Sequence, residues 1–347
     1  MPVYKSAVEN HLVPYWLSEF AVQTLVVESR ALRDNPLADP SRRYNPVLVP
    51  RAKPPRRGWP VVMVLAGFTG NGPQYFAGKS FEANLVQVLN QCRRRQQAPE
   101  AIFVFPDTMT FWGGSQYLNS AATGAYEDYV IRELIPSLKE NFPVQSAHKK
   151  WAIVGGSSGG YGALHLASRY PQIFHWVAAS APDSGFQWSL LPDLYLAGPY
   201  LRGKKLEELR ADLSGGHLLK RREGHAILNA IGMAACYSPR LGSERRGEFD
   251  FPVDFVSGQI KKPIWRKWQK HDPINFLKQR RAALRTWGGV YLDVGIFDQY
   301  YLYYGARQIV DGLRAARVKV SYHEFAGNHF DLHTRRPMIW KWLAKKL

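Results

Sequence analysis

Short continuous apolar runs alternate along this 347-residue chain with segments in which apolar residues recur every third or fourth position. The first kind predicts strands buried on both faces, the second amphipathic helices. Residues 20–28, 43–49, 59–65, 101–105, 151–154, 176–181, 290–294 and 318–325 read as strands. Residues 81–94, 126–140, 161–170, 306–316 and 337–347 read as helices. Residues 184–286 break the alternation: they hold helical pieces, Gly/Pro/Arg loops and many aromatic rings, but little strand character. The pattern predicts an α/β protein with a mainly parallel central sheet and helices on both faces. One domain spans 1–347, with 184–286 as an insertion or cap-like segment near the site.

The stretch WAIVGGSSGGYGALHL, 151–166, joins a predicted strand to a predicted helix through two serines flanked by glycines. A strand that turns this sharply into a helix forces one residue into a strained, exposed position. Glycines are needed beside it because a Cβ would collide with the neighbouring backbone. G-x-S-x-G fits in two registers, one centred on Ser157 and one on Ser158. Ser157 is preferred, because it leaves Ser158 to start the helix and offer its N–H to a developing oxyanion. A Gly/Ser loop without chemistry is the plain alternative. Strand before, helix after and partners downstream weigh against it.

A serine hydroxyl needs a base, and the base needs an orienting acid. His329 sits in a Gly-bearing loop after the last predicted strand; His323 falls inside that strand and His333 too far into the next segment. Asp298 follows the strand at 290–294. Asp293 lies within that strand, and Asp183, after the preceding strand, is a further candidate. The order Ser157, Asp298, His329 is that of the hydrolase elbow motif. A second oxyanion donor is expected from the loop after 59–65, with the Phe68 N–H favoured between Gly67 and Gly70. Trp112 and Tyr117, from the aromatic loop after 101–105, and Trp265, from the insertion, are expected to bind the acyl part of a substrate. For any one ring, core packing is the blander reading.

Charge and cysteine content adjust this picture only at its edges. Lys and Arg number 46 against 28 Asp and Glu, a net charge of +18. That charge suits an anionic substrate portion, nucleic acid or a membrane surface. The basic residues come as scattered pairs and triplets, such as Arg56-Arg57 and Arg245-Arg246, which favours solvated surface and no nucleic-acid partner. Two cysteines, Cys92 and Cys236, imply no disulfide framework and no Cys-rich metal site. No run approaches ~18 apolar residues, and the first residues show no secretory pattern, so no membrane span and a cytoplasmic location are expected. No cofactor or metal is called for. The oligomeric state stays open.

Together these motifs resemble the esterase D / antigen 85 type of α/β-hydrolase, which includes S-formylglutathione hydrolases, feruloyl and enterochelin esterases and mycolyltransferases. The resemblance rests on LAGFTGNG at 65–72, GGSQYLNS at 113–120, YEDYVIRELIP at 126–136, GGSSGGYGAL at 155–164, DVGIFD at 293–298 and GNHF at 327–330. It implies an α/β-hydrolase fold, Ser157 as nucleophile, Asp298 as acid, His329 as base, and a small-molecule carboxylic ester or thioester as substrate. The segment 184–284 is longer than in compact members, which leaves the acyl and leaving groups open. Two other readings stand beside ester hydrolysis. One is acyl transfer from the same acyl-enzyme. The other is a catalytically inactive hydrolase scaffold that binds anionic partners through its basic surface.

Overall fold

Nine strands form one sheet in the computed structural model, which describes residues 4–11, 13–78, 80–242 and 247–347. In chain order the strands are β1 (Lys5–Asn10), β2 (Phe20–Glu28), β3 (Arg42–Pro50), β4 (Val61–Leu65) and β5 (Ile102–Val104). A separate two-stranded ribbon follows, β6 (Asn119–Ser120) and β7 (Gly124–Ala125). The large sheet resumes with β8 (Trp151–Gly156), β9 (Trp176–Ser180), β10 (Gly289–Gly295) and β11 (Val320–Phe325). The spatial order is β1-β2-β3-β5-β4-β8-β9-β10-β11. The first three strands and the β3–β5 pair are antiparallel; from β5 to β11 every pair is parallel. Arg245-Arg246 lies outside the described residues.

Alternation along the central strands sorts their side chains onto two faces. Val61, Met63, Leu65, Ile153, Val177 and Leu292 face one core, covered by helices Ser158–Arg169 and Leu302–Ala315. Val62, Val64, Ala152, Val154, Ala178 and Tyr291 face the other, covered by helices Leu85–Arg94 and Leu332–Ala344. Both faces are dry, which is why these strands read as continuous apolar runs.

Three elements differ from the sequence reading. Strand β1, KSAVEN, is exposed along nearly its whole length, so no buried face imprints a pattern on it; it pairs with β2 from Lys5↔Glu28 to Asn10↔Gln23. The helix expected over 126–140 opens into a π-helical stretch, Tyr129–Leu134, before Ile135–Asn141. Pro136 has no N–H to return to the preceding turn, so the regular ladder cannot run through it. The last helix starts at Leu332, and Pro337 lies inside it. A proline read as a first-turn residue is here an interior one.

Between β9 and β10 the chain forms helices Phe186–Ser189, Leu191–Leu201, Leu206–Ser214, Gly224–Tyr237, Lys262–His271, Pro273–Gln279 and Arg281–Leu284. Gly224–Tyr237 is buried along almost its whole length. The loops that follow β4, β8, β9, β10 and β11 all leave the same edge of the sheet, as parallel pairing requires.

Candidate active site

The turn after β8 is packed too closely for side chains at its glycines. A Cβ on Gly155 would lie 2.2 Å from the Gly159 backbone, and one on Gly159 would lie 2.5 Å from the Leu65 carbonyl oxygen. Ser157 takes φ 56° and ψ −126° there. Such a conformation costs on the order of 1–3 kcal/mol and persists only when its surroundings over-determine it. They do: the Ser157 N–H donates to the Ser180 carbonyl at 2.9 Å, and its own carbonyl accepts from the Tyr161 and Asp183 N–H groups at 2.9 and 3.3 Å. Ser158 is the first residue of helix Ser158–Arg169, so its N–H has no carbonyl one turn earlier in that helix. Of the two serines, Ser157 occupies the strained turn.

The loops after β10 and β11 are tied together by backbone. The Ile296 N–H donates to the Phe325 carbonyl and the Phe297 N–H to the Gly327 carbonyl, each at 3.0 Å. Gly295 permits this approach, since a Cβ on it would meet the Gly327 oxygen at 2.3 Å. This places Asp298 Oδ2 2.7 Å from His329 Nδ1. Asp298 is 2% exposed, and its Oδ1 accepts from the Tyr300 N–H at 2.9 Å. A buried carboxylate at Nδ1 makes that nitrogen the donor and leaves Nε2 as the free acceptor. The His329 backbone N–H donates to Gln299 Oε1 at 3.1 Å, and the Tyr300 ring lies edge-on to the imidazole, 4.9 Å between centroids.

Asp183, the alternative acid, faces a different partner. Its Oδ1 accepts from Ser157 Oγ at 3.1 Å, and its Oδ2 from Ser158 Oγ at 2.6 Å and Gln116 Nε2 at 3.1 Å. Among the described residues, no hydrogen bond joins Ser157 Oγ to His329. Burial pushes the Asp183 carboxyl above the usual carboxylate range, against the pull of Ser158, Gln116, His329 and Ser157. Asp293 is buried in β10, where it accepts from the Tyr291 hydroxyl at 2.9 Å.

Ser157, Asp183 and His329 line one cavity of ≈ 320 Å³, together with Gly67, Phe68, Thr69 and Ser158. The loop after β4 is pinned by Thr69 N–H to the Gly113 carbonyl, 2.7 Å, and by the Tyr117 hydroxyl to the Ala66 carbonyl, 2.7 Å. The Phe68 N–H donates to no other backbone carbonyl among the described residues. The Phe68 ring fills a slot walled by glycines: a Cβ on Gly113 or Gly232 would come within 2.9 or 2.8 Å of it.

The three expected substrate-binding aromatics do not line this cavity. Trp112 is fully buried, edge-on to Phe111 and Phe249. Tyr117 is buried against Gly162 and braces the loop after β4 through its hydroxyl on the Ala66 carbonyl. Trp265 packs on Trp268 within helix Lys262–His271. Large rings gain most by full burial, and here the core, not the cavity, takes them. The walls come instead from Tyr75, Leu190, Tyr300, Leu302, Phe330 and Arg336, with His225 and Asn229 from the insertion. His225 and Asn229 are four residues apart on an otherwise apolar helix, a polar pair that the sequence offered as a signal. Asn229 Nδ2 donates to Asp193 Oδ2 at 2.7 Å.

The chain matches the Esterase family, described as “Putative esterase”, over residues 41–336. No curated protein sequence matches it. Among solved structures it resembles a ferulic acid esterase at 18% identity and TM-score 0.58, covering 95% of this chain and 99% of that one. It also resembles FphF, a fluorophosphonate-binding serine hydrolase of Staphylococcus aureus, at 14% identity and TM-score 0.58, covering 94% and 99%. An S-formylglutathione hydrolase from Agrobacterium tumefaciens matches at 16% identity and TM-score 0.54, covering 100% of both chains. At these identities the likenesses speak for the α/β-hydrolase fold.

Proposed function

We propose that this chain, a member of the Esterase family and a hydrolase of carboxylic esters, works through Ser157, His329 and Asp298. In this reading His329 Nε2 takes the Ser157 proton as Oγ bonds to the acyl carbon. The imidazolium is stabilised by Asp298 and then protonates the departing alcohol or thiol. The Phe68 and Ser158 N–H groups face the oxyanion, and water, activated by the same imidazole, clears the acyl-enzyme. No cofactor enters the scheme. The observation that carries it is the 2.7 Å bond between the buried Asp298 and His329, which lines the same cavity as the strained Ser157.

The cavity walls argue for a compact or aromatic acyl group. Leu190, Leu302 and Phe330 supply apolar surface, and His225 and Asn229 add two polar contacts. Arg336 lines the opening over the Tyr75 ring, 4.8 Å from its centroid, and suits an anionic leaving portion. Feruloyl esters and S-formylglutathione, the substrates in the names of two structural neighbours, therefore belong in one panel with p-nitrophenyl esters of rising chain length. Turnover that survives Ser157→Ala on every member of this panel would refute the scheme. Adding a candidate alcohol acceptor and identifying products separates hydrolysis from acyl transfer.

A further inference from the structure

The acyl-enzyme scheme leaves one buried ionisable group at the nucleophile without a task. Asp183 is 6% exposed, and its carboxyl is fixed from behind: Ser158 Oγ and Gln116 Nε2 both donate to Oδ2, so Oδ1 is turned to Ser157 Oγ at 3.1 Å. Gln116 is itself constrained, with φ 49° and a second bond from Nε2 to the Tyr237 hydroxyl at 2.9 Å. The imidazole does not need this carboxyl, because His329 already has Asp298. A hydroxyl carries one proton. While Ser157 donates it to Asp183, it does not donate it to His329.

Burying a carboxyl here is costly, and burial pushes it up. A negative charge so close to the nucleophile also opposes the charge that develops during attack. A group kept at such cost, and aimed at one atom, is expected to act on that atom. We propose that Asp183 is a positioning residue that parks the Ser157 hydroxyl off the imidazole in the empty enzyme, so that nucleophile and base meet only when an acyl group occupies the cavity and turns the serine side chain. The inference rests on Ser157 being the nucleophile. On release, the Oγ–H proton passes to His329 Nε2 as the Oγ–C bond forms, and the leaving group takes it from the imidazolium; Asp183 exchanges no proton in the cycle.

Parking reduces the competent fraction of free enzyme, so it raises KM without touching kcat. Asp183→Asn keeps an acceptor at Oδ1 but loses the charge, and a neutral bond holds about half as strongly as a charge-assisted one. The folded variant should therefore be labelled by an alkyl fluorophosphonate about five- to tenfold faster. Its kcat/KM on a p-nitrophenyl ester should rise by the same factor through KM, with kcat unchanged. An unchanged or slower labelling rate at Ser157 in the folded variant overturns the proposal. Peptide mapping of the label keeps the two readings apart: label on another residue removes Ser157 as nucleophile, whereas slow label on Ser157 removes only the parking role. Should Asp183→Asn fail to fold, a crystal structure of the empty wild-type enzyme decides. Ser157 Oγ on Asp183 Oδ1 sustains the proposal, and Ser157 Oγ on His329 Nε2 overturns it.

Discussion

Two loops leave neighbouring parallel strands at the same sheet edge, and each buries an aspartate beside the site. After β10, Asp298 meets the imidazole; after β9, Asp183 meets the serine hydroxyl. Both are almost fully enclosed, at 2% and 6% exposure, so burial alone does not assign their roles. The difference lies in what each oxygen faces. Asp298 gives one oxygen to a ring N–H that can become cationic and the other to the Tyr300 backbone N–H, so under the proposed mechanism its charge has a partner. Asp183 has two hydroxyls and an amide, none of which can carry a positive charge. In the proposed scheme, similar burial with different partners separates an acid that supports the transition state, Asp298, from one that holds the ground state, Asp183.

The sharpest way to break this contrast is to neutralise each acid in turn. Asp298→Asn should keep the fold and lose roughly 10⁴-fold in kcat, because the amide favours the wrong imidazole tautomer. Ser157→Ala and His329→Ala should lose about 10⁴- to 10⁶-fold, acting as one unit. Steady-state kinetics on a p-nitrophenyl ester, beside circular dichroism for folding, measures all three. A loss of that size in Asp183→Asn, with Asp298→Asn active, would exchange the roles of the two loops.

A smaller effect tests what supports the Asp183 side. Trp112 anchors the loop that carries Gln116, and it is wholly buried. Trp112→Ala should cost about 3–5 kcal/mol of stability, as large-to-small core changes do. The ratio of kcat/KM for long and short esters should stay the same. Denaturant unfolding and a chain-length series read the two outcomes; a selective loss on long esters would return Trp112 to the pocket wall. Below this stands Ser158→Ala, which removes one hydroxyl donor to Asp183 and keeps the Ser158 N–H. It should cost about 1 kcal/mol in stability, the loss of one hydrogen bond at an oxygen to which Gln116 Nε2 still donates, while activity remains within about tenfold of wild type.

Much of this arrangement was legible in the chain. Strand β2 has the bounds that its β-branched run predicts, and the glycines at 155 and 159 announced a turn with no room for a Cβ. Asp298 and His329 stood out because each follows an apolar run and precedes a helix, a one-dimensional signature of a sheet-edge loop. The aromatic loop was not legible, because a ring in a Gly-rich segment looks the same whether it lines a pocket or fills a core. The glycines at 113 and 114 make room for the Phe68 ring. His225 and Asn229 are a polar pair on an apolar helix, but that this pair reaches the cavity depends on the tertiary packing of the insertion. Asp183 was visible as a residue after a strand, but which atom it faces depends on the turn of its neighbour's backbone.

The smallest effect concerns the energetic cost of the Asp183 charge. Burial raises its folded-state pKa above the unfolded value of about 3.9, with the Ser158, Gln116, His329 and Ser157 contacts pulling the other way. The titratable groups facing it are His329, Tyr237 and Tyr300, from the loops after β11 and β10 and the insertion helix. A raised carboxyl pKa means that the folded state binds the proton more tightly than the unfolded one. Below the ordinary carboxylate range both states are protonated and no penalty arises. As pH rises through the unfolded pKa and then the folded one, stability is lost, and above the folded pKa the loss is complete. Asparagine at 183 never acquires the charge. Gln116 Oε1, buried without a partner, can turn toward the new amide while the Tyr237 hydroxyl becomes the donor. Asp183→Asn should therefore melt at about the wild-type temperature near pH 4 and above it at pH 8, by about 2 °C for each 1 kcal/mol recovered. Calorimetric melting of both proteins across that range measures the difference. A variant less stable than wild type at pH 8 would mean that the ionised carboxyl stabilises the fold, and the contrast between the two aspartates would lose its energetic half.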